Sequence, residues 1–273
     1  MRINQKPLVR VAVAGLGAIG FTIAAKLDAG IPGIQLTAVS ATDHDAARRR
    51  IANFRNAVPV MESGSLEQHA DLVVECAPAR VFANIATPFL ESGKTVLAFS
   101  VGALLNHPEL IQLAKKKQAQ IIVPSGAILG LDAVAAAAEG TIEHARIVTR
   151  KPPAAFSGAP FIATQKIDLN AITTPLRIFA GTARQAVAAF PANANVAVVL
   201  ALAGIGPDQT LIELWADPTV TRNIHAIEVK SDAANFSMTI DNTPSENLRT
   251  SKIAALSALA YLRKLQAPVR VGS

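Results

Sequence analysis

Val9-Arg10-Val11-Ala12-Val13-Ala14-Gly15-Leu16-Gly17-Ala18-Ile19-Gly20 decides the fold. An apolar run enters a turn of the pattern GxGxxG, and Phe21-Thr22-Ile23-Ala24-Ala25-Lys26-Leu27 continues as a helix. The first glycine permits the turn, the second lets backbone approach a pyrophosphate, and the third lets the helix pack close to the strand. Phosphates placed there meet free N–H groups at the positive end of the helix dipole. The glycines alone also suit a turn in another kind of α/β unit. The strand before them and the helix after them make the stretch a dinucleotide fingerprint. Gly15, Gly17, Ala18, Ile19 and Gly20 are therefore candidate cofactor contacts.

Outward from this turn, strand candidates alternate with helical stretches through residue 127. The strands are Val9–Ala14, Gln35–Ser40, Leu72–Cys76, Thr95–Phe99 and Gln120–Val123. They are short and continuously apolar, as strands covered on both faces of a parallel sheet are. Repeated βα units predict an α/β protein with an N-terminal Rossmann doubly wound sheet that binds ligands at the carboxyl ends of its strands. After Gly126 the pattern changes. Runs at Ala145–Thr149, Leu176–Phe179, Leu211–Trp215, Asn223–Val229 and Asn235–Ile240 alternate apolar and polar residues, with helices at Thr182–Phe190 and Asn195–Ala203 between them. This predicts a second, α+β domain built on a mostly antiparallel sheet with helices. A last amphipathic helix, Asn247 to Leu265, carries Ile253, Leu256, Leu259 and Leu262 on one stripe and is expected to pack back on the first domain. The expected divisions are 1–127, 128–246 and 247–273.

The chain's 273 residues suffice for two domains with cores of their own. No apolar run approaches the roughly eighteen residues of a membrane span, and neither a membrane association nor a secretory leader is expected. Cys76 is the sole cysteine, which excludes an intrachain disulfide and fits a reducing cytoplasm. His44, His69, His107, His144 and His225 show no metal-ligand spacing, so no metal is predicted. The net charge of +6 comes from small groups such as Arg48-Arg49-Arg50 and Lys115-Lys116-Lys117. Without interleaved aromatics these read as solvated helix faces rather than a nucleic-acid surface, and no nucleic-acid partner is expected.

Three strand-end loops are built of small residues: Cys76-Ala77-Pro78, Ser100-Val101-Gly102 and Pro124-Ser125-Gly126-Ala127. Each alone reads as an ordinary turn; three in register behind a glycine fingerprint let a flat ring lie close to the main chain. Cys76, Ala77, Ser100, Val101, Gly102 and Ala127 join the cofactor candidates. The second strand ends Val39-Ser40-Ala41-Thr42-Asp43, without an acid at its tip to hold a ribose. Ser40 and Thr42, with Arg48 or Arg49 nearby, suit a ribose or a 2′-phosphate, so NAD and NADP both stand. His225, in Asn223-Ile224-His225-Ala226-Ile227, shares a strand face with Ile227 and Val229. On that face a histidine is either a hydrogen-bonded core residue or a general acid–base group.

The second domain resembles a known family. Lys151-Pro152-Pro153, Asn193-Ala194-Asn195-Val196-Ala197, Leu202-Ala203-Gly204, Ala216-Asp217-Pro218, Asn223-Ile224-His225 and Asn247-Leu248-Arg249-Thr250-Ser251 carry the resemblance. With the glycine turn, Val74-Glu75-Cys76-Ala77, Ser100-Val101-Gly102-Ala103 and Ser125-Gly126-Ala127, they are similar to L-aspartate dehydrogenases over almost the whole chain. The resemblance implies oxidation of L-aspartate by NAD or NADP to iminosuccinate, which hydrolyses to oxaloacetate and ammonia or feeds NAD biosynthesis, and the reverse amination. It implies His225 as the active-site histidine, Ala127 and Asn195 as cofactor contacts, and a homodimer or larger assembly. Leu248 and Arg249 stand where that family commonly has proline and lysine. A small dicarboxylate needs cationic partners, and Arg150, Lys151 and Arg249 are the candidates. Two other readings stand beside this one. One is a Rossmann imine oxidoreductase like dihydrodipicolinate reductase; the other is a non-catalytic dinucleotide sensor.

Overall fold

A computed structural model describes residues 7–245 and 250–272. They form two compact units, one from residues 7–124 with 254–271, the other from residues 125–245 with 250–253 and 272.

In the first unit, strands β1 (Val9–Ala14), β2 (Ile34–Ser40), β3 (Val60–Met61), β4 (Leu72–Glu75), β5 (Thr95–Ala98) and β6 (Gln120–Ile122) form one sheet in the order β3-β2-β1-β4-β5-β6. Every pairing is parallel. This is the doubly wound order, with its reversal between β1 and β4. Helices α1 (Ala18–Asp28), α2 (His44–Arg50), α3 (Phe82–Glu91), α4 (Val101–Leu104) and α5 (Pro108–Lys117) connect the strands. The strand side chains divide between two cores. Val11, Val13, Leu36 and Val74 face one, while Ala12, Ala14, Val73 and Val96 face the other under Phe82, Ile85 and Phe89 of α3. The alternation of strand side chains thus gives both faces apolar cover, which is why the strands lack a polar period. Strand β3 was not expected: two half-buried residues leave no periodicity to read.

The second unit holds a mixed sheet. Strands β7 (Ile142–Lys151), β8 (Leu176–Thr182), β9 (Leu211–Ala216), β10 (Asn223–Ser231) and β11 (Asn235–Asn242) lie in the order β11-β10-β7-β9-β8. The expectation of a mostly antiparallel sheet holds at three of the four pairings; in the fourth, β7 runs parallel to β9. A long crossover separates those two strands in sequence, as a parallel pair requires. Helices α6 (Leu131–Ala138), α7 (Pro160–Thr164), α8 (Ala183–Ala189) and α9 (Asn195–Ala203) belong to this unit. Helix α8 starts on a capping box, Thr182 with Gln185.

Helix α10 spans Lys252–Gln266; Thr250 and Ser251, expected within it, precede it, and residues 247–249 of the expected span lie outside the described residues. Its buried stripe also differs. Ala254, Ala255, Ala258, Leu259 and Leu262 face inward, and Ile253 and Leu256 are exposed. Ala255, Ala258, Leu259 and Leu262 join the core of the first sheet. Small alanines set the closeness of that packing, so the largest side chains were a poor guide to the inner face. Among the described residues no helix is long and apolar enough to cross a membrane, and no group of His, Cys, Asp and Glu is placed to hold a metal ion.

Candidate active site

In the first unit the carboxyl ends of β1, β4 and β5 bring the expected cofactor contacts together. Gly15 leaves β1 with φ +91°, a conformation other L-residues rarely adopt. A Cβ on Gly15 would lie 2.8 Å from Cys76 O and 2.9 Å from Ala77 N, so the glycine turn rests directly on the loop after β4. A Cβ on Gly20 would overlap Gly15 O, which is why α1 can start so close to the turn. At Gly17, the N-cap of α1, a Cβ would meet nothing within 4 Å, and no side chain caps the helix. The first-turn amides of α1, from Ala18, Ile19 and Gly20, have no intrahelical acceptors. Open space before uncapped helical N–H groups is what a pyrophosphate needs, so the residues fit a dinucleotide.

The loops after β4 and β5 are tied to each other. Ser100 Oγ lies 2.8 Å from Ala77 O and 3.0 Å from Glu75 Oε1. Val101 and Gly102 are buried in α4, the short helix that Ser100 begins. Glu75, at the end of β4, is completely buried, and burial pushes its pKa up to about 7. The sequence reading assigned it no role, although a charge closing the apolar run Leu72-Val73-Val74 was the available signal. At β2, Asp43 caps α2 by accepting from Ala46 N–H at 2.9 Å, and Arg48 pairs with Asp45. Arg50 lies over the Phe21 ring and donates to Leu16 O. NAD and NADP both fit a strand tip of this kind.

In the second unit, β7 and β10 present the other candidates. His225 lies directly opposite Thr149 in the antiparallel register. Its Nδ1 is 2.9 Å from Thr149 Oγ1, and both side chains are buried. Lys151, two residues on from Thr149, points to the same face. It is 3% exposed, and its Nζ donates to Asn193 Oδ1 at 3.3 Å. Burial lowers the Lys151 pKa to about 8. Burial, and then the positive charge of Lys151, lower that of His225 to about 3. The imidazole is therefore neutral at physiological pH.

Asn193 is placed by packing. Its N–H and that of Ala194 both donate to Phe190 O. Phe190 is fully buried against the rings of Phe156, Phe161 and Phe179, with centroids 5.3–6.0 Å away. Asn195 follows as the first residue of α9. The N-cap is Ala194. Ala127 O accepts from Asn242 Nδ2 at 2.9 Å. Arg150 points away from Thr149 and Lys151. It stacks over Trp215 at 4.5 Å and pairs with Asp217, so it does not share the face of His225. Leu248 and Arg249 lie outside the described residues. Sequence reasoning missed Thr149, whose partner stands 76 residues away and whose type carries no catalytic signal.

Known proteins match both halves of the chain. Residues 132–265 match the family described as aspartate dehydrogenase, C-terminal, and residues 15–124 match homoserine dehydrogenase, NAD binding domain. An L-aspartate dehydrogenase 3 of Bordetella bronchiseptica is 54% identical over 99% of this chain and 100% of its own. An L-aspartate dehydrogenase of Bradyrhizobium diazoefficiens is 49% identical over 97% of this chain and 94% of its own. The crystal structure of aspartate dehydrogenase from Thermotoga maritima superposes with a TM-score of 0.74. It covers 97% of this chain and 99% of that one at 23% identity, a likeness of fold. The nicotinamide dinucleotide suited to the glycine turn, NAD or NADP, is thus matched by family and by geometry. With relatives this similar over nearly its whole length, the chain belongs to the aspartate dehydrogenase family.

Proposed function

We propose that this protein is an NAD(P)-dependent L-aspartate dehydrogenase, with the dinucleotide on the first unit and the acid–base and substrate groups on the second. The observation that carries this reading is the buried trio Thr149, Lys151 and His225 on one face of the second sheet. The near full-length identity to L-aspartate dehydrogenases supports the substrate. A cyclic-imine reductase and a non-catalytic sensor are both disfavoured by those matches.

The bound dinucleotide supplies the acceptor for a hydride from the substrate α-carbon. On the first unit, Gly15, Gly17, Ala18, Ile19, Gly20, Cys76, Ala77, Ser100, Val101 and Gly102 bind and orient it; family resemblance adds Ala127 and Asn195 of the second unit as contacts. Lys151 holds a substrate carboxylate. A buried ammonium whose pKa has fallen to about 8 gains most from an anion, because the anion restores its charged form. Arg249 is the candidate for the second carboxylate. His225 acts as the general base that activates water against the imine, and in reverse it protonates the departing hydroxyl. An imidazole whose conjugate acid has a pKa near 3 is too weak a base for this by itself. An arriving dicarboxylate offsets the charge of Lys151 and raises the imidazole toward its working range. For His225 to present a free Nε2 as base, Nδ1–H must donate to Thr149 Oγ1, so Thr149 positions the correct tautomer.

The test is reduced-nicotinamide absorbance with L-aspartate plus NAD or NADP, and with oxaloacetate, ammonia and the reduced cofactors. Turnover with these substrates is expected, and turnover confined to cyclic imines would overturn the reading. Family resemblance also supports a homodimer or larger assembly, and the single cysteine, Cys76, fits a cytoplasmic setting. Sedimentation velocity checks the first and cell fractionation the second.

A further inference from the structure

A carboxylate closing an apolar strand is costly unless its oxygens are fully hydrogen-bonded. Glu75 meets that demand with donors rather than with a cation. Its Oε1 accepts from Ala77 N–H at 2.9 Å and faces Ser100 Oγ; its Oε2 accepts from Ser100 N–H at 3.0 Å and Phe99 N–H at 3.3 Å. These donors belong to the loops after β4 and β5. The Cys76–Ala77 peptide is also the surface against which Gly15 packs. One carboxylate therefore sets the register of the phosphate turn and of two strand-end loops.

The Ser100 hydroxyl has one proton and two acceptors within reach, Glu75 Oε1 and Ala77 O. When Glu75 is ionised, the charge-assisted bond to Oε1 takes that proton and leaves Ala77 O open. When Glu75 is protonated, its own hydroxyl donates to Ser100 Oγ, and Ser100 donates to Ala77 O. The proton on Glu75 thus decides how the two loops are joined. Burial places the exchange near neutrality, with a pKa of about 7. The other titratable group reached by the charge of Glu75, among the described residues, is the Cys76 thiol. Burial and Glu75 together push that thiol well above its ordinary range.

We propose that Glu75 is a positioning residue for the dinucleotide, acting through the cofactor contact Ser100, and that the ionised Glu75, accepting all four donors, is the form that binds the cofactor tightly. This rests on dinucleotide binding by the first unit and not on His225 or on aspartate as substrate. It is therefore tested without turnover. Dissociation constants of NADH and NADPH are measured by fluorescence between about pH 5.5 and 8.5 for the wild type, Glu75→Gln and Ser100→Ala. The wild-type Kd is expected to fall by about tenfold as pH rises through the transition, the worth of one charge-assisted bond. Glu75→Gln is expected to bind with a flat profile at the weak end. Ser100→Ala is expected to keep the fold, bind several-fold more weakly and show a smaller step. If Glu75→Gln fails to fold, Ser100→Ala decides. A wild-type profile that is flat, or variants that keep both its affinity and its pH dependence, would overturn the proposal. A purely structural role predicts less folded protein with unchanged Kd, which also overturns it.

Discussion

The two units bury ionisable groups in opposite ways. Glu75 in the first is an acid whose proton affinity rises on burial, held by donors from the ends of two strands. His225 and Lys151 in the second are bases whose proton affinity falls on burial. Backbone amides satisfy the acid within the fold. The bases gain from a partner with negative charge. The contrast separates a frame that is complete by itself from a site that calls for a ligand, and it supports the proposed placement of the diacid on the second unit.

The strongest way to break this contrast is to remove the base. His225→Ala is expected to lower kcat by about 10²–10⁴ while leaving the NADH dissociation constant unchanged. Initial rates and a fluorescence titration on the same preparation check both halves. Normal turnover returns His225 to the role of a core residue. Next in size is Lys151→Met. If Lys151 pairs with a substrate carboxylate, KM for the diacid should rise about 30-fold or more, since truncating a buried charge partner costs about 2–5 kcal/mol. Thermal stability should hold or rise, because an apolar side chain of similar length avoids the desolvation of a buried ammonium. An unchanged KM would make Lys151 a packing residue. Third is Gly15→Ala in the first unit. The new Cβ meets the Cys76–Ala77 peptide at a φ of +91°, a strain on the order of 1–3 kcal/mol. NADH affinity should weaken by about tenfold with KM for the diacid unaffected, and the reverse pattern would undo the division of labour between the units.

The same contrast explains what the sequence revealed. A dinucleotide turn is made of backbone, so its constraints fall on consecutive residues, and Gly15, Gly17 and Gly20 display them in one hexapeptide. The parallel sheet was equally open, because strands covered on both faces read as unbroken apolar runs. The second site is assembled across strands. His225 and Thr149 meet through an antiparallel register, and Lys151 meets Asn193 through a turn fixed by a cluster of phenylalanines. Local patterning says nothing of such pairings. His225 and Lys151 were reached as site residues through family resemblance, and Thr149 was not reached at all. The parallel pairing of β7 with β9 was hidden for the same reason. Alternation reports which face is wet and says nothing of which way a neighbour runs. On α10 the reading favoured Ile253 and Leu256 by size, whereas the helix turns its alanines inward.

The smallest expected effect sharpens the contrast most, because it arises from cancellation. Below pH 6.5 the unfolded chain protonates His225 while the folded chain does not until about pH 3. Stability from this group is therefore complete above pH 6.5 and lost as pH falls, at up to about 1.4 kcal/mol per pH unit. Glu75 has the opposite sign. Its folded pKa of about 7 lies above the ordinary 4.5, so the folded chain holds the extra proton, and stability present below pH 4.5 is lost as pH rises toward 7. Between pH 4.5 and 6.5 the two slopes oppose each other, and their sum in the wild type should be near zero. Urea denaturation across that window should show His225→Asn losing stability relative to wild type as pH rises, and Glu75→Gln gaining it. If the two units unfold in separate transitions, their midpoints should move in opposite directions with pH. Parallel movement would mean that one of these side chains does not have its proton affinity shifted by burial in the stated direction, and the contrast between the units would fail at that residue.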